Sequence, residues 1–485
     1  MVVEPVPHSS RVLRTLPAPP RMPMPLHLPD DLMVSVSGFR GRVGAPLVPE
    51  LMASLAAGFG AFLMEEGAGD TVVLGRDSRT SGPMFSSAAT AGLASVGVDV
   101  VDLGVVPTPT LLMACRDRGA AGALGVTASH NPAEWNALKF GGPDGVFLDS
   151  GRMARFQAFL RERDPVRAPW DALGGLERDD GAIERHVDAI LSLPLLDVEA
   201  IRQRGFKVAV DCVHGAGGRM LPALLDALGC RYTGIGMTPD GRFPRDPEPR
   251  ADNLGDLGRL ARESGVDVGF AVDPDVDRLS LVDETGTPVG EDLTLALCAA
   301  TVLGVRSGPV VTNLSTSQVV EDVARKAGVV CHRAPVGEIN VARRMEAEGA
   351  VVGGEGNGGV ILPSLHLTRD APLGIALILQ HLLEEDTKLS GAVRRWPEYV
   401  IVKEKATFDR SRMDQGYAHL AKALPAPETD TSDGLRLAWP ERGEWLHVRP
   451  SGTEPVVRFI AEARTGERAR DLVEQGLTAL SAAAA

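Results

Sequence analysis

TVVLGRDSRTSGPMFSSAATAGLASVGVDVVDLG, residues 71–104, decides the fold. Thr71–Gly75 is a short β-branched run, and residues 76–82 (RDSRTSG) form a polar turn. From Met84 to about Gly97 the spacing predicts a helix, after which residues 98–104 return to strand texture. The order recurs twice. KVAVD (207–211) leads through CVHGAGG into a helical stretch, LPALLDALG, and then CRYTGIG. PVVT (309–312) leads through NLSTSQ into a helix ending at Lys326, then VVCHR after Gly328. Strands alternating with helices build right-handed βαβ units and mostly parallel sheets. Units ~100 residues or more apart make three related mixed α/β domains, not a short-period solenoid. Beyond Pro397 the texture changes. EYVIVKEKATF, RLAWP, EWLHVRP and VVRFIAEA read as antiparallel strands closed by a helix over Gly466–Ala484, a C-terminal α+β domain. The expected divisions are 33–185, 186–297, 298–396 and 397–485.

Residues 1–32 are foreign to this texture, crowded by Pro5, Pro7, Pro17, Pro19, Pro20, Pro23, Pro25 and Pro29. The prolines leave no apolar stretch of the length a signal peptide needs. They read as a Pro-rich disordered tail, or as an overlong start with Met33 the initiator. The chain has 485 residues, 44% of them apolar, with Lys+Arg 50 against Asp+Glu 64 and a net charge of −14. An acidic surface argues against nucleic-acid and anionic-lipid partners, so an anionic substrate needs a local basic pocket. No apolar run is long enough to span a bilayer. Cys115, Cys212, Cys230, Cys298 and Cys331 are scattered and form no CxxC pair. That reads as a reducing, cytoplasmic setting without disulfides or zinc.

In open α/β sheets ligands gather at the carboxyl ends of strands. Four loops carry candidate chemistry. In GVTASHNP (125–132), Ser129 follows an apolar run and precedes a turn-forming Asn-Pro; it is a nucleophile or phosphate carrier, or else a turn serine satisfying local donors. His130, adjacent in sequence, reads as structural. In DPDVDR (273–278), Asp273, Asp275 and Asp277 would repel one another unless a hard cation holds them. An EF-hand would place Glu284 as its last ligand, but Arg278 stands where that loop needs glycine. A phosphatase would use Asp273 as nucleophile. Arg278 suits a phosphoryl group shared by metal and guanidinium. GGEGNGG (353–359) presents Glu355 and Asn357 on a tight loop, suited to sugar hydroxyls or simply solvated. RPSGTEPVVR (449–458) collects Arg449, Ser451, Gly452, Thr453 and Arg458 as an anion nest or an exposed turn. Arg40, in GFRGR (38–42), and Lys139, ten residues past Ser129, are cations that could clamp a reacting phosphate.

Together these stretches resemble the α-D-phosphohexomutase superfamily from about residue 34 to 480. TASHNP (127–132) is similar to its phosphoserine loop, DPDVDR to its metal loop, GEGNGG (354–359) to its sugar loop and RPSGTEP (449–455) to its phosphate loop. SGFRG (37–41), GRDSRTSG (75–82), PTPT (107–110) and RDA (369–371) also match. The resemblance implies four domains around a central cleft. It implies that Ser129 carries the phosphoryl group and shares one Mg²⁺ with Asp273, Asp275 and Asp277. Arg278, Lys139 and Arg40 would flank the reacting oxygens. Glu355 and Asn357 would read the ring hydroxyls, and Arg449, Ser451, Gly452, Thr453 and Arg458 would grip the second phosphate. A hexose 6-phosphate and its 1-phosphate would interconvert through a hexose 1,6-bisphosphate. The metal loop departs from the family at Pro274 and Val276, where glycines are common. The sugar loop departs at Asn357, a common serine, and at Gly359, a common histidine. GEGNGG with RDA is most similar to archaeal-type phosphoglucosamine and phosphomannose mutases, and a glucosamine phosphate is the favoured substrate. A monomer or homodimer is expected, with a hinge near residues 397–400 that closes the last domain on the ligand.

Overall fold

The computed structural model describes residues 26–451 and 456–482. Its elements fall into four sheets, which bears out three mixed α/β domains and an α+β domain. The first sheet has seven strands. Thr71–Arg76 lies between Asp99–Val105 and Gly122–Val126, all parallel, and Trp135–Gly141 runs antiparallel beside Gly122–Val126. The second sheet repeats this order with Lys207–Asp211, Arg231–Ile235, Val268–Val272 and the antiparallel Leu279–Val282. The third repeats it again with Val310–Asn313, Cys331–Ala334, Val352–Glu355 and the antiparallel Gly359–Ile361.

This repetition positions the chemistry. In each unit the third strand turns back into an antiparallel fourth, which is the sheet edge in the second and third units and is flanked by Gly38–Arg42 in the first. The connecting segments are 127–134, 273–278 and 356–358, so the serine, metal and sugar loops occupy one topological position three times over. The strands feeding them are buried along their length: Leu124, Val126, Phe270, Val272 and Val352 are fully buried. Such continuous runs suit sheets covered on both faces. One apolar core runs unbroken from Val73 to Ala392 through all three units. At its centre the helix Ala371–Glu384 is buried from residue 371 to 382. Pro372 in its first turn and the Asp370 carboxylate, which accepts from Leu373 N at 3.0 Å, fix where it starts.

The last sheet is antiparallel, in the order Val400–Ala406, Val457–Ala463, Glu444–Pro450, Leu435–Trp439, Glu428–Asp430. Helices Met413–Ala423 and Gly466–Ala482 complete a separate core. The helix Met413–Ala423 and the strand Glu428–Asp430 were not legible in sequence.

Several expectations shift. The helix expected from Met84 to Gly97 spans Gly82–Ala94. Of the tail expected over 1–32, residues 1–25 lie outside the described residues, and 26–32 are not tail. Leu26 N donates to Leu160 O at 3.1 Å, Leu26 and Leu28 pack on a separate apolar core of the first unit, and Leu32 is buried in it. Three leucines offer more apolar surface than the prolines around them can keep in water. Helices Ala182–Leu191 and Glu291–Val305 run across the expected divisions at 185/186 and 297/298. The cysteines are unpaired, with Cys115, Cys212, Cys230 and Cys298 buried. No helix among the described residues is long and apolar enough to cross a membrane.

Candidate active site

Ser129 lies at the end of the strand Gly122–Val126, nearly fully buried, with φ of +49°. A serine holds this left-handed conformation only when its surroundings impose it. They do so through Arg79. Its guanidinium donates to the carbonyl oxygens of Ser129 (2.6 Å), Asn131 (2.7 Å), Pro132 (2.7 Å) and Trp135 (2.8 Å), and its Nε pairs with Asp77 at 2.9 Å. Thr127 Oγ1 closes the frame by donating to Asp77 at 2.7 Å. The serine hydroxyl then donates to Asp273 Oδ2 at 2.8 Å, across the boundary between the first two sheets.

Asp273, Asp275 and Asp277 are all fully buried and offer ligand atoms within 4.8 Å of one another. Lys139 Nζ pairs with Asp275 Oδ2 at 2.8 Å, and Thr108 Oγ1 donates to the same oxygen at 2.8 Å. Asp273 Oδ1 accepts from the backbone of Asp277 (3.1 Å) and Arg278 (3.2 Å). Burial, with Asp277 and Asp275 beside it, pushes Asp273 well above the usual carboxylate range. Burial also opposes ionisation of Asp275, but the charge of Lys139 and hydrogen bonds from Asp273, Lys139 and Thr108 overcome it and hold it below that range. Among the described residues, Asp275 Oδ1 and Asp277 Oδ1 are buried with no hydrogen-bond partner. Two orphaned carboxylate oxygens in a ring of acids fit a hard divalent cation. The sharp loop is imposed by Val276, whose φ of +61° is rare for a β-branched residue and whose side chain is fully buried. Glu284, the EF-hand alternative's ligand, faces away, accepting from Ser390 Oγ at 2.6 Å.

Arg278 Nη1 pairs with Glu248 at 2.9 Å, and its Nε lies 3.7 Å from Asp277 Oδ1. Arg40, half-buried, donates to Asn131 of the serine loop, with Asp275, Arg278 and Arg79 acting on it electrostatically. His130 is closer to the chemistry than a structural role requires. Its Nδ1 stands 3.4 Å from Ser129 Oγ, and Arg278, then burial, then Arg40 push its pKa well below the ordinary histidine value.

Glu355 is buried and accepts from Asn313 Nδ2 (2.8 Å), Gly337 N (3.0 Å) and Asn357 Nδ2 (3.4 Å). Arg369, to which the sequence pointed only through RDA, bridges the loops: Nη1 pairs with Glu355 at 2.8 Å and Nη2 with Asp277. Behind it Asp370 Oδ2 takes the Nε2 of both His186 and His366 at 2.8 Å. Thr110 bonds His186 Nδ1 at 2.8 Å, and Thr368 N donates to His366 Nδ1 at 3.2 Å, so this second His/Asp cluster is internally satisfied.

The anion nest stands on the last domain. Arg449 and Arg458 face each other on adjacent strands, and Arg449 Nε is 3.0 Å from Asp433 Oδ2. Arg410, absent from the sequence reading, donates to Ser451 O. Arg410, Asp433, Arg449 and Ser451 line a cavity of about 710 Å³ that also touches Tyr417 and Gly434. Gly452 and Thr453 lie outside the described residues. The nest is tied to the sugar loop by neighbouring amides: Val336 N donates to Asp433 at 3.0 Å, and Gly337 N to Glu355.

The structure thus joins Ser129, Lys139 and the three aspartates directly. Arg369 carries the network to Glu355, and Asp433 links it to Arg449. Arg79, Thr108 and Arg369 stood in quoted motifs (GRDSRTSG, PTPT and RDA) without a role, and Arg410 in none, because each acts on residues distant in the chain; Thr108 and Asp275 are 167 positions apart.

Comparison with known proteins agrees with this architecture. The domains described as phosphoglucomutase/phosphomannomutase alpha/beta/alpha domains I, II and III match residues 32–164, 184–286 and 290–399, and the C-terminal domain of that family matches 399–478. A phosphoglucomutase/phosphomannomutase of Thermococcus kodakarensis is 37% identical over 92% of this chain and 98% of its own. A probable phosphoglucosamine mutase of Methanopyrus kandleri is 36% identical over 90% and 95%. The crystal structure of a phosphoglucomutase/phosphomannomutase family protein from Burkholderia thailandensis superposes with a TM-score of 0.81 at 27% identity, covering 93% of this chain and 97% of that one. With its four domains matched in order and its serine, acidic and sugar loops on equivalent hairpins, the chain belongs to the phosphoglucomutase/phosphomannomutase family of the α-D-phosphohexomutase superfamily, isomerases of carbohydrate metabolism.

Proposed function

We propose that the protein interconverts a hexose 6-phosphate and the corresponding hexose 1-phosphate, with glucosamine phosphate the favoured pair. The observation that carries this is the Ser129 hydroxyl on Asp273, beside two partnerless buried carboxylate oxygens, with a basic nest on another domain. A phosphatase has no use for that second grip. A non-catalytic sugar-phosphate binder has no use for three buried acids, which are costly without a cation.

Asp273, Asp275 and Asp277 would hold one Mg²⁺ together with an oxygen of phosphorylated Ser129. When bound, that ion neutralises charge on the transferring phosphoryl group. Lys139, Arg278 and Arg40 add positive charge around the serine, which phosphoryl transfer needs more than covalent ingenuity. The sugar's free hydroxyl attacks the serine phosphate, the P–Oγ bond breaks, the hydroxyl's proton is transferred to the released Ser129 Oγ, and a hexose 1,6-bisphosphate forms. Turned end for end, it returns its other phosphate to Ser129. Glu355 and Asn357 read the ring hydroxyls. Arg449, Ser451, Gly452, Thr453 and Arg458 hold whichever phosphate is not reacting. Arginines opposed across two strands repel, and a bound phosphate relieves this. Burial of Ser129 keeps water from the phosphoserine. The unpaired cysteines fit a cytoplasmic enzyme, acting as a monomer or homodimer.

The second reading, a phosphomannomutase/phosphoglucomutase, draws on the Thermococcus relative. The test is a panel of glucosamine, N-acetylglucosamine, glucose and mannose 6-phosphates with Mg²⁺ and catalytic bisphosphate. Fastest formation of glucosamine 1-phosphate is expected. Free phosphate without any 1-phosphate rejects the mutase.

A further inference from the structure

Arg369 sits where three acidic side chains converge. Its Nη1 donates to Glu355 Oε2 at 2.8 Å, its Nη2 pairs with Asp277 Oδ2, and its Nε lies 3.4 Å from Glu338 Oε2. Its backbone is anchored, since Arg369 N donates to Glu338 Oε1 at 2.8 Å and the next residue, Asp370, caps the buried central helix. The stem fills a definite volume. A Cβ added at Gly359 would stand 2.1 Å from Arg369 Cδ, 2.7 Å from Cγ and 3.2 Å from Cβ. With both ends held, the side chain cannot yield, so the glycine at 359 and the arginine at 369 require each other.

The two oxygens of Asp277 are divided. Oδ2 belongs to Arg369, and Oδ1 is one of the buried atoms without a hydrogen-bond partner. The carboxylate that offers one oxygen to a cation is therefore already half-neutralised by a guanidinium. The same guanidinium, through its other nitrogen, fixes the face of Glu355. A rigid planar fork can hold two carboxylates at once, which a lysine ammonium cannot do with the same geometry.

We infer that Arg369 is a positioning residue that locks the metal loop to the sugar loop and sets metal affinity against sugar affinity. The inference rests on the site reading above and adds a direction to it. A positive charge beside Asp277 weakens a divalent cation's hold on the three aspartates. The same charge orders Glu355 for the sugar. Removing it moves the two affinities in opposite directions, which a general loosening of the site would not do.

The experiment compares wild type, Arg369→Gln, Arg369→Lys, Gly359→Ala and the double variant Gly359→Ala/Arg369→Gln. Mg²⁺ binding is measured by calorimetry on dephosphorylated protein. kcat and KM are measured for the best substrate of the hexose 6-phosphate panel at saturating Mg²⁺, and each variant is melted. Arg369→Gln should bind Mg²⁺ roughly tenfold or more tightly, the scale of one unit charge acting on a divalent ion at this range, while KM rises about tenfold. Arg369→Lys should keep Mg²⁺ affinity within about twofold, because the charge remains, and still raise KM, because the fork is lost. Gly359→Ala should lower Tm or displace Arg369, reproducing the tighter Mg²⁺ binding, and should add little to Arg369→Gln. Weaker Mg²⁺ binding in Arg369→Gln, or no change in either affinity, overturns the inference. Were Arg369→Gln not to fold, the lysine and Gly359→Ala variants decide it: Mg²⁺ affinity falling in both overturns it. Absence of 1-phosphate from wild type on every sugar would instead reject the mutase reading, while the Mg²⁺ and melting comparisons still judge Arg369.

Discussion

In the proposed reaction Ser129 is the phosphoryl carrier because of where the backbone puts it, not because a serine is intrinsically reactive. Four carbonyls on Arg79 hold its loop in a left-handed turn, and the hydroxyl that emerges meets Asp273 at 2.8 Å. Ser129→Ala should abolish 1-phosphate formation while leaving hexose-phosphate binding and Tm nearly unchanged; a variant retaining turnover would remove Ser129 from the chemistry. The aspartates were legible as a candidate cation loop because three like charges at alternate positions repel unless a cation holds them. What held them was not. Thr108 and Lys139 converge on Asp275 from chain positions 167 and 136 residues away. Val276 shows a different limit. A left-handed position normally announces itself through glycine, and here a buried valine occupies it, its apolar contacts offsetting the strain.

Among the elements, the three hairpins are what make the site possible. Strand texture in KVAVD, PVVT and TVVLG was enough to locate the parallel strands, because apolar runs between Gly/Ser turns have few alternatives. The antiparallel fourth strand of the third unit was harder to read: GVI (359–361) is too short to show a period. In the last domain, the strands Glu444–Pro450 and Val457–Ala463 bring Arg449 and Arg458 into register, and Arg449 lines the 710 Å³ cavity. Arg449→Ala should weaken hexose-phosphate binding by about 1.5–3 kcal/mol, the scale of a charge-assisted hydrogen bond, with kcat less affected. Unchanged affinity in a titration would take the nest out of the site.

On the scale of the whole molecule, three units share one core, beside which the first has a second, and the fourth has its own. A net charge of −14 leaves the basic nest as the local exception an anionic substrate requires. The joint to the fourth unit is polar. Ser315 Oγ meets His447 Nδ1 at 2.9 Å, Val336 N donates to Asp433 at 3.0 Å, and Gln318 N donates to Glu462 at 2.8 Å. Hydrogen bonds exchange more readily than apolar packing, which supports our proposal of a hinge near residues 397–400. Crystals with and without hexose phosphate should differ in the angle of the last domain; identical angles would count against it. Burial pushes the His447 pKa down to about 4. A folded-state pKa below the unfolded value, about 6.5, gives stability that is whole above that pH and lost as pH falls towards 4. Tm should therefore decline over that window, and His447→Gln should flatten the decline; an unchanged slope would assign it to other groups.

The central claim is that the serine, the acidic ring and the arginine nest serve one phosphosugar. Protein radiolabelled as phosphoserine at 129, mixed with unlabelled hexose 6-phosphate and Mg²⁺ and quenched within a turnover, tests it most directly. The account predicts that the label leaves the protein as hexose bisphosphate and then as sugar monophosphate. Label that stays on the protein, or is released as inorganic phosphate, would contradict it.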